Sequence, residues 1–121
     1  MSVAVVDSGG ANISSVLHAL RRLGAEPVFT ADAAAIRAAD RVILPGVGAA
    51  GRAMEALAGH GLLDVIRELR QPVLGICLGM QLLFAGSEEG DTACLGIFPA
   101  RVTRFADRQG FPVPHMGWNQ V

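Results

Sequence analysis

One thiol in this chain stands where it could do chemistry. In "PVLGICLGMQLLF", Pro72 to Phe84, an apolar strand-like run meets Gly75-Ile76-Cys77-Leu78-Gly79 and continues into a helix-like run. A sharp strand-to-helix turn between glycines is how a nucleophile is lifted clear of a sheet. At such a corner the backbone N–H of Leu78 would point at whatever Cys77 attacks, and the following helix N-terminus would favour the thiolate. The same pentapeptide equally suits a small buried hydrophobe, which is how most free cysteines are used. A second glycine stretch, "GVGAAG" from Gly46 to Gly51, has two chemical readings of its own. Backbone N–H groups from around Val47 and Gly48 would hold an oxyanion beside the nucleophile. Alternatively, the G-x-G-x-x-G spacing after a strand and before a helix fits a dinucleotide. Against the dinucleotide stand Pro45 ahead of the first glycine, a third rather than first strand, and an acidic residue, Asp64, inside a helical pattern.

The elements that must position these residues alternate along the chain. "VAVVD" (Val3 to Asp7) is a β-branched run, followed by Ile13, Val16, Leu17 and Leu20 at helical spacing. Asn12 is the expected N-cap of that helix and Gly24 its stop; "PVFT" is a second strand, and Asp32 caps an alanine-rich helix. "RVILPG" gives a third strand. A helical pattern covers Arg52 to Arg70, breaking at Gly59 to Gly61, and "PVLGI" is the fourth strand. Apolar strands separated by helical segments predict buried parallel strands with helices on both faces. Cys77 then sits at the carboxyl end of a strand, where open parallel sheets bind ligands. After Gly90, "LGIFPARVTRF" alternates like a half-exposed strand, and the Pro- and Gly-rich tail carries the only Trp.

At 121 residues the chain is expected to be one domain, able to bury roughly two-thirds of its unfolded surface. A net charge of −1 with no run of like charge argues against nucleic-acid or membrane-surface binding and leaves small molecules and proteins as partners. No apolar run reaches the 18 or so residues of a membrane span, so a cytoplasmic protein is expected. Cys77 and Cys94 lack metal-ligand spacing and are read as free thiols, with no metal and no cofactor.

Together, "LPGVGAAGRAM", "PVLGICLGMQLLF", "SEEG", "LGIFPARV" and "PHMGWNQV", in this order, closely resemble the glutaminase subunit of imidazole glycerol phosphate synthase, a class I glutamine amidotransferase of histidine biosynthesis. "VDSGGANISSVLHAL" is similar at the amino-terminal end, so the resemblance covers the whole chain. It implies an α/β, flavodoxin-like three-layer sandwich with a mostly parallel sheet. It implies that Cys77 is the nucleophile, that the N–H groups of Val47 and Leu78 form the oxyanion hole, and that Gly48, Gln81 and Glu89 hold glutamine. Gln81, one helical turn after Cys77, would face the same cleft. Glu88 is read as a solvated acidic turn. The implied partner is a cyclase subunit, a (β/α)-barrel that uses the released ammonia, and Asn12, Met116, Trp118 and Asn119 match segments at or near that contact. Trp118 suits an interface anchor or, alternatively, ordinary core packing.

Two departures from the family stand out. "DSGGAN" places Ser8 and Ala11 where the family often has an aromatic and a glycine. More seriously, the family's His-x-Glu pair, whose His activates the thiol, has no match here: His18, His60 and His115 are each followed by other residues. The expectation is therefore a single partial amidotransferase domain over residues 1–121, its carboxyl-terminal part absent, with little or no glutaminase activity alone and an uncovered apolar sheet edge or face. A non-catalytic, partner-binding remnant is the alternative.

Overall fold

The computed structural model describes residues 1–10 and 12–121; Ala11, one of the two departures in the first loop, lies outside them. Four parallel strands form the central sheet in the order β2-β1-β3-β4: β1 (Ser2–Val6), β2 (Glu26–Thr30), β3 (Arg41–Leu44) and β4 (Val73–Gly75). Side-chain alternation along β1 and β3 feeds two cores. Val3, Val5 and Ile43 meet Ile13, Val16, Leu17 and Leu20 of α1 (Ile13–Arg22) on one face. Ala4, Val6, Val42 and Leu44 face the larger core on the other. There they pack with Ile36 of α2 (Ala33–Ala38), Leu57 of α3 (Ala50–Gly59) and Val65 and Ile66 of α4 (Leu63–Glu68). Helices on both faces of a parallel sheet are the three layers expected.

Helix ends follow local chemistry. Asp32 accepts the N–H groups of Ala34 and Ala35 at 3.4 and 3.1 Å, capping α2 as its position predicts. Asn12 stands at the amino end of α1, but its side chain makes no capping hydrogen bond, contrary to expectation. The carboxyl ends of α1 and α3 share one device: Gly24 and Gly61 turn left-handed, and the N–H groups of Ala25 and Leu62 donate back to Leu20 and Leu57. Gln71 was not foreseen. Its Nε2 donates to the carbonyls of Ile36, Arg37 and Ala39, closing the end of α2 just before β4 begins.

The fourth strand is not buried as expected. β4 is one edge of the sheet and β2 the other; Leu74 of β4, on the face that holds α1, is 58% exposed, Ile76 is also exposed, and so are Val28 and Phe29 of β2. An unbroken apolar run cannot reveal which strand will end a sheet. On the α1 face Leu20 of α1, Leu23 just past its end, Ile43 and Leu74 line an apolar groove of about 240 Å³. The helix-like run after Cys77 is also shorter than expected. α5 spans only Leu78–Gln81, and Phe84–Ser87 forms β5. β5 pairs parallel with β7 (Phe98–Val102), the half-exposed strand of the sequence, and antiparallel with the two-residue β6 (Thr92–Ala93). Among the described residues no helix is long and apolar enough to cross a membrane.

A Cβ built on Gly79 would fall 1.8 Å from the Leu44 carbonyl oxygen, whereas one on Gly24 would meet nothing within 4 Å. Gly79→Ala is therefore expected to lower stability by more than about 3 kcal/mol, the range of severe overpacking. Gly24→Ala, limited to its left-handed backbone, should cost about 1 kcal/mol. Urea midpoints of the two variants check the ranking.

Candidate active site

Strand pairing is maintained up to the corner, where the Ile76 N–H donates to the Leu44 carbonyl at 3.0 Å. The next residue, Cys77, takes φ 55° and ψ −122°, a conformation that L side chains rarely adopt. Such a residue stores on the order of 1–3 kcal/mol and persists only where its surroundings impose it. Here the Gly79 N–H donates to Ile76 at 2.9 Å, and the Met80 and Gln81 N–H groups donate to Cys77 at 3.1 and 3.3 Å. Gly75 leaves room for Met80, whose Cα lies 2.5 Å from where a Cβ would stand. The strain thus sits on the cysteine, and the glycines supply the space. Cys77 is exposed, which overturns its reading as a buried hydrophobe. Its Sγ has no hydrogen-bond partner among the described residues, and α5, a single turn, offers little of the expected helix-terminus activation.

The glycine loop abuts this corner. A Cβ on Gly46 would lie 2.8 Å from the Gly79 nitrogen and 3.1 Å from the Leu78 Cβ. Pro45 and Gly46 are buried, Val47 emerges to 55% exposure, and Gly48 is left-handed at φ 87°. No hydrogen bond among the described residues occupies the N–H groups of Val47, Gly48 or Leu78. Those three donors are free for a ligand. Asp64, the acidic residue of the dinucleotide reading, lies on α4 in an exposed ion pair with Arg67 at 2.9 Å, away from any strand end.

Gln81 and Glu89 are brought together. Both line a cavity of about 660 Å³ with Ser87, Glu88, Val102, Thr103 and Arg104; Cys77 and Gly48 do not line it. Glu89 opens a 3₁₀ turn and donates its N–H to the buried Ser87 Oγ at 3.2 Å. Glu88 is more than a solvated turn residue, because its carboxylate accepts the Arg104 N–H at 2.7 Å. Sequence reasoning missed Ser87, Thr103 and Arg104 here, and only the neighbouring "SEEG" pointed to the place.

The expected interface residues lie on exposed segments. Asn12, Met116, Trp118 and Asn119 are all exposed, and Trp118 packs against nothing, so its core-packing alternative is corrected. Asn119 Nδ2 lies 3.0 Å from His115 Nε2. His18, His60 and His115 are exposed, and none bonds to Cys77. Cys94, by contrast, is buried, and burial pushes its thiol up against a smaller opposing effect of Arg101.

Residues 4–120 match the family model described as glutamine amidotransferase class-I. The chain belongs to that family. It is 55% identical over 119 residues to the imidazole glycerol phosphate synthase subunit HisH of Xanthomonas axonopodis pv. citri, an alignment covering 98% of this chain and 60% of that protein. The HisH subunit of Xylella fastidiosa is 54% identical over the same share. The chain therefore spans about 60% of the length of these curated relatives. A crystal structure titled as a glutamine amidotransferase superposes with a TM-score of 0.68 at 25% identity, covering 84% of this chain and 56% of that one.

Two outcomes are expected of this amidotransferase domain. Iodoacetamide should label one thiol in the folded chain, Cys77, and two after denaturation, read by peptide mass. Cys94 has its pKa raised above the ordinary 9.0. Its neutral form stabilises the fold below that value, and the contribution is lost as pH rises through the folded-state pKa. Cys94→Ala should flatten the fall in Tm above about pH 9.

Proposed function

We propose that Cys77 is the nucleophile of a glutaminase. Its sulfur attacks the side-chain amide carbon of glutamine, and the tetrahedral oxyanion is held by the N–H groups of Leu78 and Val47. Collapse of that intermediate breaks the C–N bond, and ammonia leaves with a proton. Water then attacks the thioester, releasing glutamate and the thiol, so that one hard hydrolysis is split into two easier steps. Gly48, Gln81 and Glu89 hold the substrate. The observation that carries this reading is an exposed cysteine at positive φ, packed against a loop whose N–H groups are unoccupied. The chemistry needs neither metal nor cofactor.

In this reading residues 1–121 form one partial amidotransferase domain. The general base and its orienting carboxylate come from outside these residues, because none of the three histidines bonds to Cys77. The ammonia passes to a cyclase subunit that forms imidazole glycerol phosphate, and the two make a heterodimer in the cytoplasm. Asn12, Met116, Trp118 and Asn119 belong to the contact, and the exposure of Met116 and Trp118 supports it. That no histidine among the described residues bonds to the Cys77 sulfur favours a second reading, a remnant that binds the cyclase without catalysis.

A glutamine-like chloromethyl ketone separates these readings. Selective alkylation of Cys77, slowed by excess glutamine, is expected of the glutaminase; a remnant or a dinucleotide-binding domain would show no protection by glutamine. With a cyclase subunit present, glutamine hydrolysis by these 121 residues should be about 10²–10⁴-fold slower than by a full-length HisH relative, the usual worth of a general base. Equal rates would mean that one of the three histidines serves as that base.

A further inference from the structure

Ser8 is buried, with 5% of its surface exposed, and its hydroxyl donates to the carbonyl oxygen of Pro45 at 2.7 Å, 37 positions along the chain. Pro45 opens the glycine loop. It has no N–H, so its carbonyl is the only backbone polar group by which that residue can be held. The peptide joining it to Gly46 is planar, so fixing the carbonyl also fixes the direction of the Gly46 N–H on the opposite side. Gly46 itself approaches Gly79 and Leu78 of the Cys77 corner too closely for a side chain. The peptide is thus clamped between Ser8 and the corner, at the last covered position before Val47 emerges into solvent.

Ser8 is itself held. The Asp7 N–H donates to the Thr30 carbonyl at 2.9 Å, and the Gly9 N–H donates to Asp7 Oδ1 at 3.0 Å. Gly9 lies against Ala56, whose Cβ is 2.8 Å from where a side chain on Gly9 would begin. Ala56 belongs to α3, the helix into which the glycine loop runs. The start of the loop is therefore tied to the exit of β1 through the Ser8 hydroxyl, and the same exit packs through Gly9 against the helix that follows the loop.

We infer that Ser8 is a positioning residue for the oxyanion hole: by gripping the Pro45 carbonyl it sets the direction in which the Val47 and Gly48 N–H groups are presented beside Cys77. The inference rests on the glutaminase reading, and its test separates the two. Acylation of Cys77 by p-nitrophenyl acetate passes through an oxyanion and draws on the loop, whereas alkylation by iodoacetamide draws only on the thiol. Each rate is followed by the mass of the Cys77 peptide in the 121-residue chain. Ser8→Ala is expected to slow acylation about tenfold, a conservative value for a misplaced catalytic group, while alkylation stays within about twofold. Ser8→Thr, which retains the hydroxyl, should restore acylation. If Ser8→Ala does not fold, Ser8→Thr and Ser8→Val, which differ only by hydroxyl against methyl, are compared in the same way. Unchanged acylation, or equal slowing of both reactions, overturns the positioning role and leaves the glutaminase reading standing. A parent chain that is alkylated but never acylated at Cys77 has no working oxyanion hole for Ser8 to position and overturns the inference, whereas the glutaminase reading is overturned if glutamine does not slow alkylation by the chloromethyl ketone.

Discussion

Everything at the candidate site depends on one close approach of backbone to backbone. The carbonyl of Leu44, at the end of β3, occupies the space that a side chain on residue 79 would need. Only glycine lets the start of α5 come so near the adjacent strand. Because it does, the chain must turn between Gly75 and Gly79 within three residues, and Cys77 is driven to positive φ. The same contact seats Gly46 on Leu78, which brings the loop with unoccupied N–H groups beside the thiol. Strain, exposure and donors are thus consequences of one packing constraint.

The sheet makes that constraint affordable. β1 and β3 are buried on both faces; the glycine loop leaves β3, and the Cys77 corner leaves β4, which pairs with β3, so the strained residue is braced against a rigid platform. The platform is asymmetric. The face that holds the larger core is covered by α2, α3 and α4, while α1 alone covers the other and leaves Leu74 of β4 in solvent. The exposed thiol therefore stands at the end of an edge strand, one neighbour away from the buried centre of the sheet.

The proposed nucleophile's loop and the proposed contact residue Asn12 lie at one end of the sheet. The exit of β1 carries Ser8, bonded to the glycine loop, and a few residues later Asn12 at the head of α1. A surface that docks near Asn12 would thus lie within a few residues of the hydrogen bond that holds Pro45. The carboxyl-terminal tail leaves Met116 and Trp118 exposed.

The sequence by itself determined the alternation of strands and helices, the break at Gly59 to Gly61, the Asp32 cap and the corner that holds Cys77. Each is written in neighbouring residues: hydrophobic period, glycine at a left-handed stop, a carboxylate within reach of the next N–H groups. The end-to-end resemblance added the expected roles of Val47, Leu78, Gly48, Gln81 and Glu89. Tertiary structure decided what depends on distant partners. It made β4 an edge strand, stopped α5 after one turn, left Asn12 without a capping bond and joined Glu88 to Arg104. It also bonded Ser8 to Pro45 across 37 positions, a contact with no local periodicity or spacing to announce it. Local propensity acts over a turn or a strand, whereas which edge is left open and which carbonyl finds a donor are settled only when separate segments pack.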